Sequence, residues 1–151
     1  MKFPAMTECT GCGECCGPVY ATEPEVRRIR RYVRDHGIEW HDRVNPLTCG
    51  FLREDNRCAI YEARPTACRM FGVIAEMQCS YFPEAVRMNY SADKAVAAGL
   101  FHPGEDKLLA EHFAPDEGAA MLAAMRPVKR VMEEMIELID LSEGMRRHGS
   151  A

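Results

Sequence analysis

Four thiols lie close together at Cys9, Cys12, Cys15 and Cys16, in the spacing C-x2-C-x2-C-C. Gly11 and Gly13 stand between them. Glycine reaches positive-φ conformations at no steric cost, so a loop of this composition can turn sharply and aim several side chains at one point. Cys49, Cys58, Cys68 and Cys79 follow singly, and no cysteine occurs after them. Thiolate is a soft metal ligand, and two chemistries use it in fours. Tetrahedral zinc takes four cysteines, in structural sites commonly from C-x2-C pairs. Iron–sulfur clusters also take four, and a C-x2-C-x2-C run plus one distant cysteine is a common way of holding them. Cys9, Cys12 and Cys15 form such a run, while the four distant cysteines make no second C-x2-C pair. Cys16 follows Cys15 directly instead of four residues on, so this is not the ferredoxin run. The pattern leans to an iron–sulfur cluster, with zinc as the alternative.

Eight cysteines could also pair as four disulfides, but the stretch Met1 to Glu8 is no secretory signal and the chain has no transmembrane segment. The expectation is a cytoplasmic protein, and in a reducing compartment clustered cysteines read as metal ligands. The net charge of −4 gives no bulk attraction to nucleic acid or to an acidic membrane. A protein partner is left open. At 151 residues the chain reads as one domain, 1–151, with a cysteine-rich metal-binding half over 1–84 and a helical half over 85–151. The expected class is mainly α: a small metal-stabilised domain with an irregular N-terminal half and a short β-hairpin.

The elements that must position the thiols follow from local signals. Thr22 and Glu25 have capping-box spacing, and Gly37 is a C-terminal stop, so the spacing predicts a helix from Glu23 to His36. Val26, Ile29 and Val33 mark its buried stripe, while Arg27, Arg28, Arg30, Arg31 and Arg34 read as a solvated face and not as a nucleic-acid site. Trp40 and His41 fall in a connector. The segments Thr48–Leu52 and Cys58–Tyr61 flank a polar run and predict a hairpin that brings Cys49 and Cys58 together. Pro65 opens a helical turn carrying Cys68 between Arg64 and Arg69, whose fixed charges suit thiolate neighbours. Helices are expected from Ala92 to Phe101 behind Ser91, from Glu105 to Phe113, and from Asp116 to Arg126, the last weakened by Gly118. Pro127 kinks this helix or starts another to about Glu143, with Val128, Val131, Met132, Met135, Leu138 and Ile139 on one face.

The ordered set C-x2-C-x2-C-C at Cys9 to Cys16, then Cys49, Cys58-Ala59-Ile60-Tyr61 and Arg64-Pro65-x2-Cys68-Arg69-Met70-Phe71 resembles the YkgJ-type cysteine-cluster family. That family is described as zinc- or iron-chelating and includes flagellin lysine N-methylase. The resemblance spans Cys9 to Cys79 and implies metal binding at Cys9, Cys12, Cys15, Cys16, Cys49, Cys58, Cys68 and Cys79. It does not carry methylation with it, and the chain has no glycine-rich methyl-donor motif.

With all eight thiols engaged on metal there is no vacant position for a substrate. A binding or structural module without a reaction of its own is therefore the leading expectation. A redox or methylation component built on an iron–sulfur centre is the alternative, and metal storage or delivery a third. Consecutive side chains tend to point apart, so Cys15 and Cys16 are expected to serve different metal centres or different metals of one centre.

Overall fold

The computed structural model describes residues 3, 9–86, 88–100, 102 and 106–127. Helix α1 runs over Glu23–His36, between the residues that cap it. Glu25 Oε2 accepts from the backbone N–H of Thr22 at 3.0 Å and from its hydroxyl at 3.1 Å. At the other end Gly37 takes the left-handed conformation with φ 60, and Ile38 N–H donates to Val33 O at 3.0 Å, which ends the helix by satisfying its last carbonyls. Val26 and Ile29 are fully buried and Val33 is half-buried, as the stripe requires. They pack with Ala21, Phe51, Ile60, Ala63 and Leu109. Burial of a side chain of this size contributes about 1.5–3 kcal/mol.

Tyr20–Ala21 forms strand β1 and pairs antiparallel with β2, Lys107–Leu108, in the register Tyr20↔Leu108 and Ala21↔Lys107. This corrects the helix expected over Glu105 to Phe113. Only Leu109–Phe113 is helical there, as α4, and Leu109 N–H donates to Val19 O at 2.8 Å. Backbone groups that a helix would have satisfied locally are taken by β1 instead, and this buries Leu108 and Leu109 in adjacent clusters. Leu109 thus joins Val26 and Ile29, so chain from either side of residue 84 shares one apolar cluster.

The expected hairpin is reduced to one antiparallel bridge, Leu52↔Cys58, with Arg53 N–H donating to Arg57 O at 2.9 Å across a turn where Asn56 adopts φ 59. The chain then leaves pairing for a 3₁₀ turn at Tyr61–Ala63 and helix α2, Thr66–Met70. Met70, Val73, Ile74 and Ala95 form a second apolar cluster with Phe3. Helix α3, Ala92–Ala97, is capped by Ser91 as expected, its hydroxyl accepting from Lys94 N–H at 3.1 Å. It stops short of Phe101 because Gly99 turns the backbone to φ 66.

Residues 115–127 are helical. Gly118, expected to weaken this segment, has a packing role: a Cβ there would lie 2.6 Å from Glu111 Cα, so glycine lets this stretch close on α4. The expected continuation beyond Pro127 to about Glu143 lies outside the described residues. The architecture is mainly α, and among the described residues no helix is long and apolar enough to cross a membrane.

Candidate metal centre

Gly11 and Gly13 adopt φ 75 and 80, the turns that the cysteine run needed. The same glycines set the loop against the turn at 52–57. A Cβ on Gly11 would lie 3.3 Å from Asn56 O, and one on Gly13 would lie 3.1 Å from a Leu52 methyl. Cys16 N–H donates to Gly13 O and Cys49 N–H donates to Cys16 O, both at 2.9 Å, so the end of the loop is hydrogen-bonded to the Cys49 segment. The Leu52↔Cys58 bridge brings Cys58 back beside it. Gly50 is required here for a different reason: Trp40 lies so close that a Cβ would fall 2.2 Å from its ring. Trp40 Nε1 donates to Glu117 at 2.6 Å, and its ring meets Phe51 edge-on. His41 is the polar connector residue expected, exposed and donating its backbone N–H to Gly50 O at 3.0 Å.

Cys68 is delivered by α2, and α2 is held by Glu25. Its Oε1 accepts from Thr66 N–H at 2.7 Å and from the Thr66 hydroxyl at 2.6 Å. Glu25 is only 6% exposed. One carboxylate therefore starts both helices, with Oε2 on Thr22 and Oε1 on Thr66. The capping-box spacing marks the first half of this arrangement. No local signal marks the second, which joins residues forty-one positions apart.

These segments enclose a cavity of about 520 Å³ whose wall includes Cys9, Cys12, Cys15, Cys16, Cys49, Cys58 and Cys68. Cys79 is absent from that wall. Its segment returns to the loop through Tyr81, whose hydroxyl donates to Glu14 in a short hydrogen bond, and both Cys79 and Cys12 bear electrostatically on that hydroxyl. Cys9, Cys12 and Cys15 are exposed, while Cys16, Cys49, Cys58, Cys68 and Cys79 are half-buried.

Cys15 and Cys16 act on each other: the neighbouring side chain pulls the Cys15 thiol down to about 7 and raises that of Cys16. Two positive-φ glycines and the Cys16–Gly13 turn give the backbone around this pair a turn in place of an extended strand. Desolvation pushes Cys49 up to about 11 and also raises Cys58 and Cys68. Arg64 opposes this. Its charge favours the thiolates of Cys15, Cys58 and Cys68. Its side chain is fixed in the cavity wall by a 2.8 Å bond from Nε to Tyr61 O and by stacking 3.4 Å over the Tyr61 ring. Arg69 does not line the cavity. It donates to Thr66 Oγ1 at 3.3 Å, and burial lowers its pKa.

The donor set fits a thiophilic metal. Arg43, outside the cavity wall, has its Nε and one Nη buried without a hydrogen-bond partner among the described residues, and its charge acts on Cys49. Such N–H groups suit a neighbouring thiolate acceptor. Cys16, Cys49, Cys58 and Cys68 would hold the inner side of a centre, and Cys9, Cys12 and Cys15 its mouth. The thiols ring the cavity: among the described residues, no three His, Cys, Asp or Glu side chains already stand as one ion's ligand shell.

A folded unit whose cysteines come from loop, turn and helix to line one cavity belongs to the class of metal-chelating cysteine-cluster domains. Residues 8–89, more than half the chain and all eight cysteines, match the CxxCxxCC family, described as "Putative zinc- or iron-chelating domain", and the chain belongs to that family. No curated protein and no solved structure matches it.

Proposed function

We propose that this chain is a metal-binding module in which the eight cysteines hold an iron–sulfur centre, or zinc in its place, and brace the surrounding fold without catalysing a reaction. The observation that carries this reading is the meeting of seven cysteines from four separate segments on one cavity. The number of thiols on it, more than the four that one zinc ion takes, favours a polynuclear centre. When bound, such a centre supplies cross-linking between segments and, if it contains iron, one-electron chemistry.

We place the arginine face of α1 as packing and solvent surface rather than a nucleic-acid site. Arg28 donates to Arg64 O at 3.1 Å, and Arg30 donates to His112 O at 3.4 Å and lies over the Phe113 ring. The exposed apolar side chains Val44 and Leu47 lie on the loop touching Gly17 and suit a protein partner.

A second reading, electron transfer or service to a methylation enzyme, rests on the exposure of Cys9, Cys12 and Cys15. A centre held by them would lie at the surface, within reach of a partner.

Anaerobic purification, with iron, zinc and acid-labile sulfide measured per chain, separates these readings. Iron with matching sulfide is the expected result. Zinc without sulfide removes the redox reading and leaves the structural one. No metal in either form, before or after reconstitution, overturns the proposal.

A further inference from the structure

The eight thiols differ in how they are held, and the difference follows a boundary through the loop. Cys16, Cys49, Cys58 and Cys68 sit on hydrogen-bonded or helical backbone. Cys16 and Cys49 are joined by the 2.9 Å main-chain bond, Cys58 lies in the bridge to Leu52, and Cys68 rides on α2 beneath the Glu25 clamp. All four are half-buried. Among the described residues no such support holds Cys9 or Cys12, and both are exposed, as is Cys15. Cys79 sits outside the cavity wall, on the segment that Tyr81 links to Glu14, between Cys12 and Cys15 in the chain. Cys15 and Cys16, adjacent in the chain, join the two groups.

We propose that the thiols form two tiers of four, an inner tier of Cys16, Cys49, Cys58 and Cys68 that retains its metal and an outer tier of Cys9, Cys12, Cys15 and Cys79 that exchanges it with solvent or a partner. The inference rests on the metal-binding reading above and adds a direction to it: metal enters and leaves through the outer tier. The physical reason is the cost of opening. Releasing metal from the inner tier requires moving bridged and clamped backbone. Releasing it from the outer tier requires moving a glycine-hinged loop and one Tyr81–Glu14 contact, and local openings of such weakly packed segments cost far less than global unfolding. Each thiol that ligates gives up a proton, so uptake at either tier releases protons to buffer.

The test uses the full chain, reduced and loaded with cadmium under anaerobic conditions, and follows the loss of thiolate–metal absorbance after addition of excess chelator. Two phases are expected, separated at least tenfold in rate. Cys9→Ser, Cys12→Ser and Cys79→Ser should abolish the fast phase and leave the slow one. Cys58→Ser and Cys68→Ser should abolish the slow phase. Tyr81→Phe removes only the hydroxyl contact to Glu14 and should speed the fast phase severalfold without changing metal content. Single-phase release in the wild type, or loss of all metal on changing Cys9 alone, overturns the two tiers. A wild-type chain that takes up no cadmium, zinc or iron overturns the metal-binding reading itself and the inference with it.

Discussion

Helix α1 and the cysteine loop are near neighbours in the chain and are held by opposite means. Residues 23–36 carry caps at both ends, a buried stripe, and a carboxylate satisfied by four hydrogen bonds. Residues 9–18 have little of this. Their polar and glycine-rich backbone makes one internal turn bond, from Cys16 to Gly13, and their thiols face a cavity. The helix is specified by apolar burial, which needs no ligand. The loop presents thiols but little apolar surface. The comparison teaches why sequence composition changes so sharply at Thr22: the chain passes there from a segment that presents thiols to one organised by burial.

The largest effect that would break or sharpen this contrast is metal removal. Chelation under reducing conditions, followed by hydrogen exchange, should strip protection from amides across residues 9–18 and leave the interior amides of α1 protected. Metal binding in such loops is coupled to folding, whereas α1 draws on Val26, Ile29, Phe51 and Leu109. Equal loss of protection in α1 would show that the two regions form one cooperative unit.

Glu25→Gln acts on the joint between the regions. It keeps the size of the side chain and turns half of an acceptor-only group into donors, facing Thr22 and Thr66 groups that all donate. Loss of hydrogen bonds to a charged acceptor costs about 1.5–3 kcal/mol each at most, and relaxation at Thr66 recovers part of this. Urea denaturation of stripped protein should show a loss of about 2 kcal/mol, and the metal content of loaded protein should fall because Cys68 is no longer held. An unchanged stability midpoint would mean that Glu25 is not the clamp.

The mildest perturbation is pH. Burial holds the thiols of Cys49, Cys58 and Cys68 above their ordinary range. A folded-state pKa above the unfolded value of 9.0 favours the neutral form in the fold. Its contribution is fully present below about pH 9 and is lost as pH rises through the folded value, about 11 for Cys49. The stripped chain should therefore lose stability between pH 9 and 11, and Cys49→Ala should flatten that slope. A stripped protein as stable at pH 11 as at pH 8 would contradict the buried position of these thiols.

The sequence alone located the candidate metal-binding cysteines and the main helix, because both are encoded locally. Spacing, glycine and capping signals act over a few residues, and α1 begins and ends where Thr22, Glu25 and Gly37 place it. The identity of the elements around Cys68 and Ser91 was local for the same reason. Tertiary structure decided the rest. Residues 107–108 became strand because β1 offered them partners eighty-odd positions away, an exchange no window of helical propensity records. The hairpin shrank to one bridge because the chain left it to begin the turn and helix that deliver Cys68. Gly118 and Gly50 owe their roles to the approach of Glu111 and Trp40. The second use of Glu25 has the same origin, since it depends on the path of the backbone through space and not on the order of residues along it.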